Sequence, residues 1–426
     1  MALATALLLA PAAAGKTFVV NKRGDHPPNG CTKKDCTLRE AVIRANNRPG
    51  ADRIELPSRK PYRLGIPFDA DAPDPSPLSG DLNVLGPLTV AHPGGGRATI
   101  DARRKDRVFE NRARLKLRKL VLRRGGRPEE SAGGAILALA NLKLIRSKIV
   151  GSTALSAGGI AAFDSANLTL RRSRVARNTA AGEGGGVHFA GNRLRVVAST
   201  IARNTTGCTG LCLAVPWIGG GIYTEGASAL ISRSTIVGNS ARQDGGGIFN
   251  AGALAVVNST LAKNRVHASG GGLYAAPGTL ARLNAVTIAR NRADANNTGP
   301  PDFGGGIWTQ GGADVVEIRN SLVALNRTTN GTIQECDAPA PVGIESLGGN
   351  LITTAAGGCG FFDHPQDLVA PKPRIGKLSR NGGPTRTIAL RRKSPAIGQA
   401  DGPGRVKRDQ RGVRRKNPDV GAYERR

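Results

Sequence analysis

The chain has 426 residues, 39% hydrophobic but only 4% aromatic, so its core must be built from Val, Ile, Leu and Ala. Its 58 glycines follow no collagen period and favour many tight turns over long helices. A formal net charge of +30 draws polyanions, whether anionic polysaccharide, an anionic cell surface or nucleic acid. A solvated, Arg-rich surface without a specific partner is the other reading, because the basic residues are spread along the whole chain.

The first residues, "MALATALLLAPAAAGK", carry a short apolar run followed by Ala12, Ala13 and Ala14, which suits the small-residue rule for leader cleavage. A basic segment before the apolar run is missing, since the first Lys is Lys16. The expectation is a leader over residues 1–14 and an exported protein. No other stretch approaches the ~20 apolar residues of a membrane span. Six cysteines stand as sequence-near pairs: Cys31 with Cys36, Cys208 with Cys212, Cys336 with Cys359. An even count and export suggest disulfides. Zinc is disfavoured, because no C-x2-C occurs and no His stands at ligand spacing; free buried thiols stay open.

Next comes "CTLREAVIRANNRPGADRIELP". Thr37 and Glu40 form a capping-box pattern, so a helix is predicted to start near Leu38. Leu38, Val42 and Ala45 share one face, and Pro49-Gly50 ends the helix. One amphipathic helix of this kind suits the cover of a stacked end.

Beyond it the chain repeats itself. Glycine clusters begin at Gly133, Gly158, Gly184, Gly219, Gly245, Gly270 and Gly304. Between them recur "SRVARN", "STIARN", "STIVGN", "STLAKN", "VTIARN" and "SLVALN", ending on Asn178, Asn204, Asn239, Asn264, Asn291 and Asn326. The plain unit, as from Gly219 to Gly245, is about 25 residues and reads as short strands of alternating aliphatic and polar residues. It is too short for an amphipathic helix, and the leucine-rich-repeat signature is absent. Such a unit must stack on its neighbours. The prediction is all-β: a single-stranded right-handed parallel β-helix of about ten coils, stacked at roughly 4.8 Å. The Asn at each corner then meets its own copies in a hydrogen-bonded ladder and can occupy a left-handed corner conformation. Repeated "GGGI" is no phosphate loop, since no G-x-G-x-x-G leads into a helix. Two coils are longer between Asn and glycine cluster, from Asn204 to Gly219 and from Asn291 to Gly304. Both insertions leave the same corner, where solenoids often carry binding loops. Cys208 and Cys212 would staple the first.

Here the sequence resembles known families. "CTLREA" with the following "ANNRPGADRIELP" looks like the CSLREA domain of bacterial surface and exported proteins, with Thr37 replacing the motif's Ser. The repeats resemble those of pectate-lyase-like parallel β-helix proteins and polymorphic outer-membrane proteins. The pieces "ESLGGNLI", "CGFF", "RNGGPTRTIAL", "SPAIG" and "DQRGVRRKNPDVGAYE" are similar to the choice-of-anchor Q domain, although Gly398 stands where that pattern usually has Asp. The resemblance implies an exported β-helix protein, usually of unassigned activity. Its regions would be an N-terminal cap over residues 15–80, repeats over 81–355 and a C-terminal region over 356–426. An anchor often follows the last motif in such families; none is visible after "GAYE".

Three sets of residues are candidates for function. If each aliphatic after a glycine cluster points inward, its neighbour points outward. His188, Tyr223, Phe249, Tyr274 and Trp308 would then line one column over five coils, as a platform for sugar rings or as a structural ladder stacking on itself. Arg177, Arg203, Lys263 and Arg290 precede the corner asparagines, with Gly238 and Leu325 interrupting them, and would form a basic ridge for an anionic polymer. Glu183, Asp244 and Asp302 are the weak catalytic candidates. Glu183 and Asp244 stand two coils apart, roughly 10 Å, which is marginal for the acid–base pair of an inverting glycosidase. No acidic cluster suits Ca²⁺, and five scattered histidines suggest no Ser-His-Asp or Cys-His arrangement. The expected function is non-catalytic binding of polysaccharide or another anionic surface polymer, as in an adhesin-like protein outside the cell or on its surface. A lyase or hydrolase acting on an acidic glycan is the alternative, and a passive spacer the second. No cofactor and no metal is called for, nor any membrane span. Nucleic acid is disfavoured by the missing reader motifs and by export.

Overall fold

The computed structural model describes residues 14–69, 71, 77–127, 131–207, 216–293, 304–310, 316–328, 331–338, 343–355, 359 and 362–426. The coil at residues 219–244 shows the pattern. Ile222–Thr224 lies in one sheet, Ala229–Ser232 in a second, Thr235–Val237 in a third, and Ser240–Ala241 in a short fourth. Each strand pairs in parallel with its copies in the coils before and after. Among the described residues the first of these sheets has ten strands, from Leu82–Val84 to Cys336–Asp337, and the second and third have twelve each. The chain is a parallel β-helix. Strand Thr17–Val19 already pairs with Asp52–Glu55 in the second sheet, so the region before the repeats is part of the stack.

Inward columns fill the interior. Ile222, Ile248, Leu273 and Ile307 are fully buried in register, as are Ile201, Ile236, Leu261, Ile288 and Val323. The asparagine ladder forms as expected. Nδ2 of each donates to Oδ1 of the next at 2.9–3.0 Å, from Asn178 through Asn204, Asn239, Asn264 and Asn291 to Asn326. Every ladder side chain is buried, so these bonds remove a desolvation cost that would otherwise fall on each coil. The corner conformation sits elsewhere than expected. The left-handed residue is the one before each Asn: Arg177, Arg203, Gly238, Lys263, Arg290 and Leu325 have φ of 56–61°. The Asn instead spends its side chain on the neighbouring coils. A second, unforeseen ladder runs at the other corner, where the backbone N–H groups of Ser147, Ser173, Ser199 and Ser234 donate to the next coil's Ser Oγ at 3.0–3.2 Å.

Glycine serves two purposes in each cluster. Gly219 takes φ 65° at the turn into the strand. At Gly221 a Cβ would stand 2.4 Å from the carbonyl oxygen of Gly247, so adjacent coils could not close.

The two ends differ. Helix Leu38–Asn46 starts where predicted, with both halves of the capping box formed by Thr37 and Glu40. Its buried Leu38, Val42 and Ala45 lie against the first coils. Arg39 is fully buried and forks onto Asp25, with both bonds at 2.9 Å. From Ile375 the C-terminal region folds back along the side of the third sheet. An antiparallel hairpin, Ile375–Ser379 with Thr387–Leu390, and the segment to Val420 bury Ala262, Ala289, Leu322 and Ala324. Outward threonines fix it: Thr235 Oγ1 donates to Arg386 O (2.7 Å), Thr260 Oγ1 to Gln410 Oε1 (2.6 Å), and Ala422 N donates to Thr287 Oγ1 (2.9 Å). Small residues on the flank of the coils leave an apolar surface, which this segment covers. Disulfides join Cys31 to Cys36 and Cys336 to Cys359. Cys208 and Cys212, and all but Ala14 of the expected leader, lie outside the described residues.

Candidate functional site

The aromatic column is real in register. His188, Tyr223, Phe249, Tyr274 and Trp308 pair along five strands. The rings spend their faces on one another. Centroids are 4.6 Å apart for His188–Tyr223, 5.5 Å for Tyr223–Phe249, 4.4 Å for Phe249–Tyr274 and 4.5 Å for Tyr274–Trp308. The last two pairs are stacked, and Phe163 closes edge-on against His188 at 5.0 Å. His188 and Tyr274 are each only 8% exposed, while Tyr223, Phe249 and Trp308 are half-buried. A sugar needs a free ring face, and this column offers chiefly edges.

Polar groups gather at the His188 end. His188 Nε2 lies 3.0 Å from Glu225 Oε1, and its Nδ1 lies 2.8 Å from Ser156 Oγ. The imidazole therefore bridges Ser156 and Glu225, one at each ring nitrogen, and the tautomer sets which nitrogen donates. Tyr223 Oη donates to Glu225 Oε2 at 2.8 Å. The hydrogen bond from His188, with help from Tyr223, holds the Glu225 carboxyl below its usual range. The Tyr223 hydroxyl is pushed up by burial, by Glu225 and by the field of Glu183. That of Tyr274 is pushed up by burial and by Asp244. Glu183 and Asp244 therefore flank the column, and the backbone ladder keeps them two coils apart (Gly184 N to Ile218 O, Gly219 N to Asp244 O). Asp302 lies outside the described residues.

The basic ridge occupies the left-handed corner. Arg177, Arg203 and Lys263 are exposed, each carried outward from the same backbone position. Arg290 is half-buried, and its Nη1 donates to Gly376 O of the C-terminal hairpin at 2.8 Å. Burial lowers the proton affinity of Arg174, and the charges of Arg386, Arg177 and Arg203 lower it further, as expected of cations crowded together.

No protein-family model matches the chain, and no curated protein matches it. Among solved structures it is similar to the crystal structure of pectate lyase Pel9A, at 15% identity over 98% of each chain, with a TM-score of 0.56. The fold is a right-handed parallel β-helix.

Two kinds of chemistry are therefore set out on this β-helix. The column carries a hydrogen-bonded Ser–His–carboxylate line beside further acids, which can move a proton. The ridge carries fixed positive charge. Sequence reasoning missed Glu225 because Ala251 and Ala276 stand at its place in the following coils, and it passed over Ser156, which shares a column with Glu183, Asp244 and Ser269, because it looked there for carboxylates. It also passed over Arg265, Arg292 and Arg327, each one residue after a ladder Asn. Their common offset was the available signal. Among the described residues no helix is long and apolar enough to cross a membrane.

Proposed function

We propose that the chain is an exported β-helix protein that holds an anionic polysaccharide, or another anionic polymer of a cell surface, without cleaving it. The observation that carries this reading is the exposed row Arg177, Arg203 and Lys263. None of the three forms an ion pair with a described residue, in a chain of net charge +30. The two disulfides and the resemblance of "CTLREA" and the C-terminal motifs to exported surface proteins support the placement outside the cell. The self-stacked column then serves as a structural spine. The test is retention on an immobilised acidic glycan: binding should weaken as salt rises, with no new reducing ends and no unsaturated products. Lack of retention at low salt would remove the reading.

A second reading, cleavage of an acidic glycan, is favoured by the Ser156–His188–Glu225 line with Glu183 and Asp244 alongside. It requires product release that Glu183→Ala or Asp244→Ala abolishes. The likeness to a structure named as a pectate lyase makes acidic glycans the first substrates to assay.

A further inference from the structure

We propose that three late coils of the β-helix carry an oxyanion-binding groove, lined by Lys263, Arg265, Arg290, Arg292 and Arg327, that holds the charged groups of an acidic polysaccharide lying along the helix axis. This rests on the binding reading above and assigns its site.

The groove is a composed feature and more than a share of the general basicity. The residue after each ladder Asn forms a column of its own. Over the first three coils it is a hydroxyl residue, Thr179, Thr205 and Ser240, and Thr153, which follows Ser152, pairs in the same register one coil earlier. Over the next three it is arginine: Ser240 pairs with Arg265, Arg265 with Arg292, and Arg292 with Arg327. Beside them, two residues earlier in each coil, stand Lys263 and Arg290, and then the apolar Leu325. These seven positions, counting Asn291 at the base, enclose a groove of 440 Å³.

Its construction suits an anion. The base is the asparagine ladder, which fixes the spacing of the coils. Lys263 and Arg265 are exposed and ion-paired to no described residue. Arg290 and Arg327 are each held by a backbone carbonyl, Gly376 O at 2.8 Å and Gly331 O at 2.9 Å. A carbonyl orients a guanidinium without neutralising it, so the remaining N–H donors stay available to an oxyanion. Arg391 on the adjoining hairpin adds to the positive field at Arg290. Coils stack at about 4.8 Å, so the arginines repeat at a spacing close to that of successive sugars. A glycan with one carboxylate or sulfate per sugar would place one oxyanion on each coil, where the planar fork accepts it bidentately.

The test compares three proteins on immobilised alginate, which bears carboxylates, and heparin, which also bears sulfates. One is the wild type. The second carries Arg265→Ser, Arg292→Thr and Arg327→Thr, the residues that the same column uses in earlier coils. The third carries Arg177→Ala and Arg203→Ala, outside the groove. Unchanged thermal midpoints would establish that both variants fold. The groove variant is expected to lose roughly tenfold in affinity, the scale of several exposed charge contacts, and the ridge variant a smaller but measurable amount, since Arg177 and Arg203 continue the row that Lys263 shares with the groove. The glycan that shows the larger loss identifies the preferred oxyanion. Equal losses in the two variants, or loss only in the ridge variant, would overturn the groove while leaving the binding function in place. Failure of the wild type to bind either glycan would remove both.

Discussion

Asn326 Nδ2 donates to Glu335 Oε2 at 2.6 Å, so a ladder of six asparagines ends on a buried carboxylate. Each rung passes one unsatisfied donor to the next coil, and the last rung needs an acceptor that no further Asn supplies. Glu335 fills that place and also accepts from the backbone N–H groups of Leu325 (2.6 Å) and Asn326 (3.2 Å).

This arrangement makes stability depend on pH. Burial pushes the Glu335 carboxyl from 4.5 up to about 7, although the hydrogen bonds from Asn326, Thr353 and Leu325 pull it down. Below 4.5 the group is protonated in folded and unfolded chains alike. Between 4.5 and about 7 the folded chain keeps a proton that the unfolded chain has released, so stability falls as pH rises. Above about 7 the full cost, about 3 kcal/mol, is present. Denaturant midpoints measured from pH 4 to 8 should therefore fall more steeply for the wild type than for Glu335→Gln. Parallel curves would show that Glu335 is not the titrating group.

Mid-ladder, Asn239 is the sharper test of the corner. Its Oδ1 accepts the backbone N–H and the Nδ2 of Asn204, both at 3.0 Å, and its Nδ2 donates to Asn264 Oδ1 at 3.0 Å and Ile201 O at 3.2 Å. Asn239→Ala strands buried donors on one side and an acceptor on the other, and should cost about 3 kcal/mol. Ser234→Ala removes a smaller share of the second ladder and should cost about 1 kcal/mol. Urea unfolding of both variants measures the difference, and equal costs would contradict the primacy of the asparagine ladder.

Much of this architecture was legible in the residues. The recurrence of Asn178 to Asn326 at one offset placed the ladder, and Thr37 with Glu40 placed the helix. What escaped depends on contacts between distant segments. The docking of Gln410 on Thr260 spans 150 residues and leaves no local period. The faces of Tyr223 and Phe249 read as outward, which they are. The self-stacking ladder was one of the two readings of this column, and what decides between them is side-chain tilt, to which alternation is blind. Glu225 appears once, and a reading built on repetition passes over single residues.

The column separates spine from platform. Phe249 stacks on Tyr274 and leans on Tyr223, so Phe249→Ala should open a gap and cost about 2 kcal/mol, less than a full core deletion because the ring is half-buried. Retention on acidic glycan should not change at temperatures where the variant is folded. A parallel loss of binding would return the column to the ligand site.

Two glycines in one coil should respond oppositely to replacement. At Gly221 a methyl group would meet the backbone oxygen of Gly247 at 2.4 Å and Nδ2 of the ladder residue Asn239 at 2.9 Å, a side chain already held by its own hydrogen bonds. Gly221→Ala should destabilise by more than about 3 kcal/mol or prevent folding. Gly238 has φ 61°, yet a Cβ there meets nothing closer than 3.8 Å, and Arg203 and Lys263 hold the same conformation one coil away on either side. The left-handed backbone costs about 1 kcal/mol for a non-glycine residue, so Gly238→Lys should fold. It would also fill the gap in the basic ridge between Arg203 and Lys263. Elution of this variant from an acidic-glycan column should require more salt than the wild type. Elution at the same or lower salt would mean that the ridge, although exposed and continuous, is not where the polymer lies.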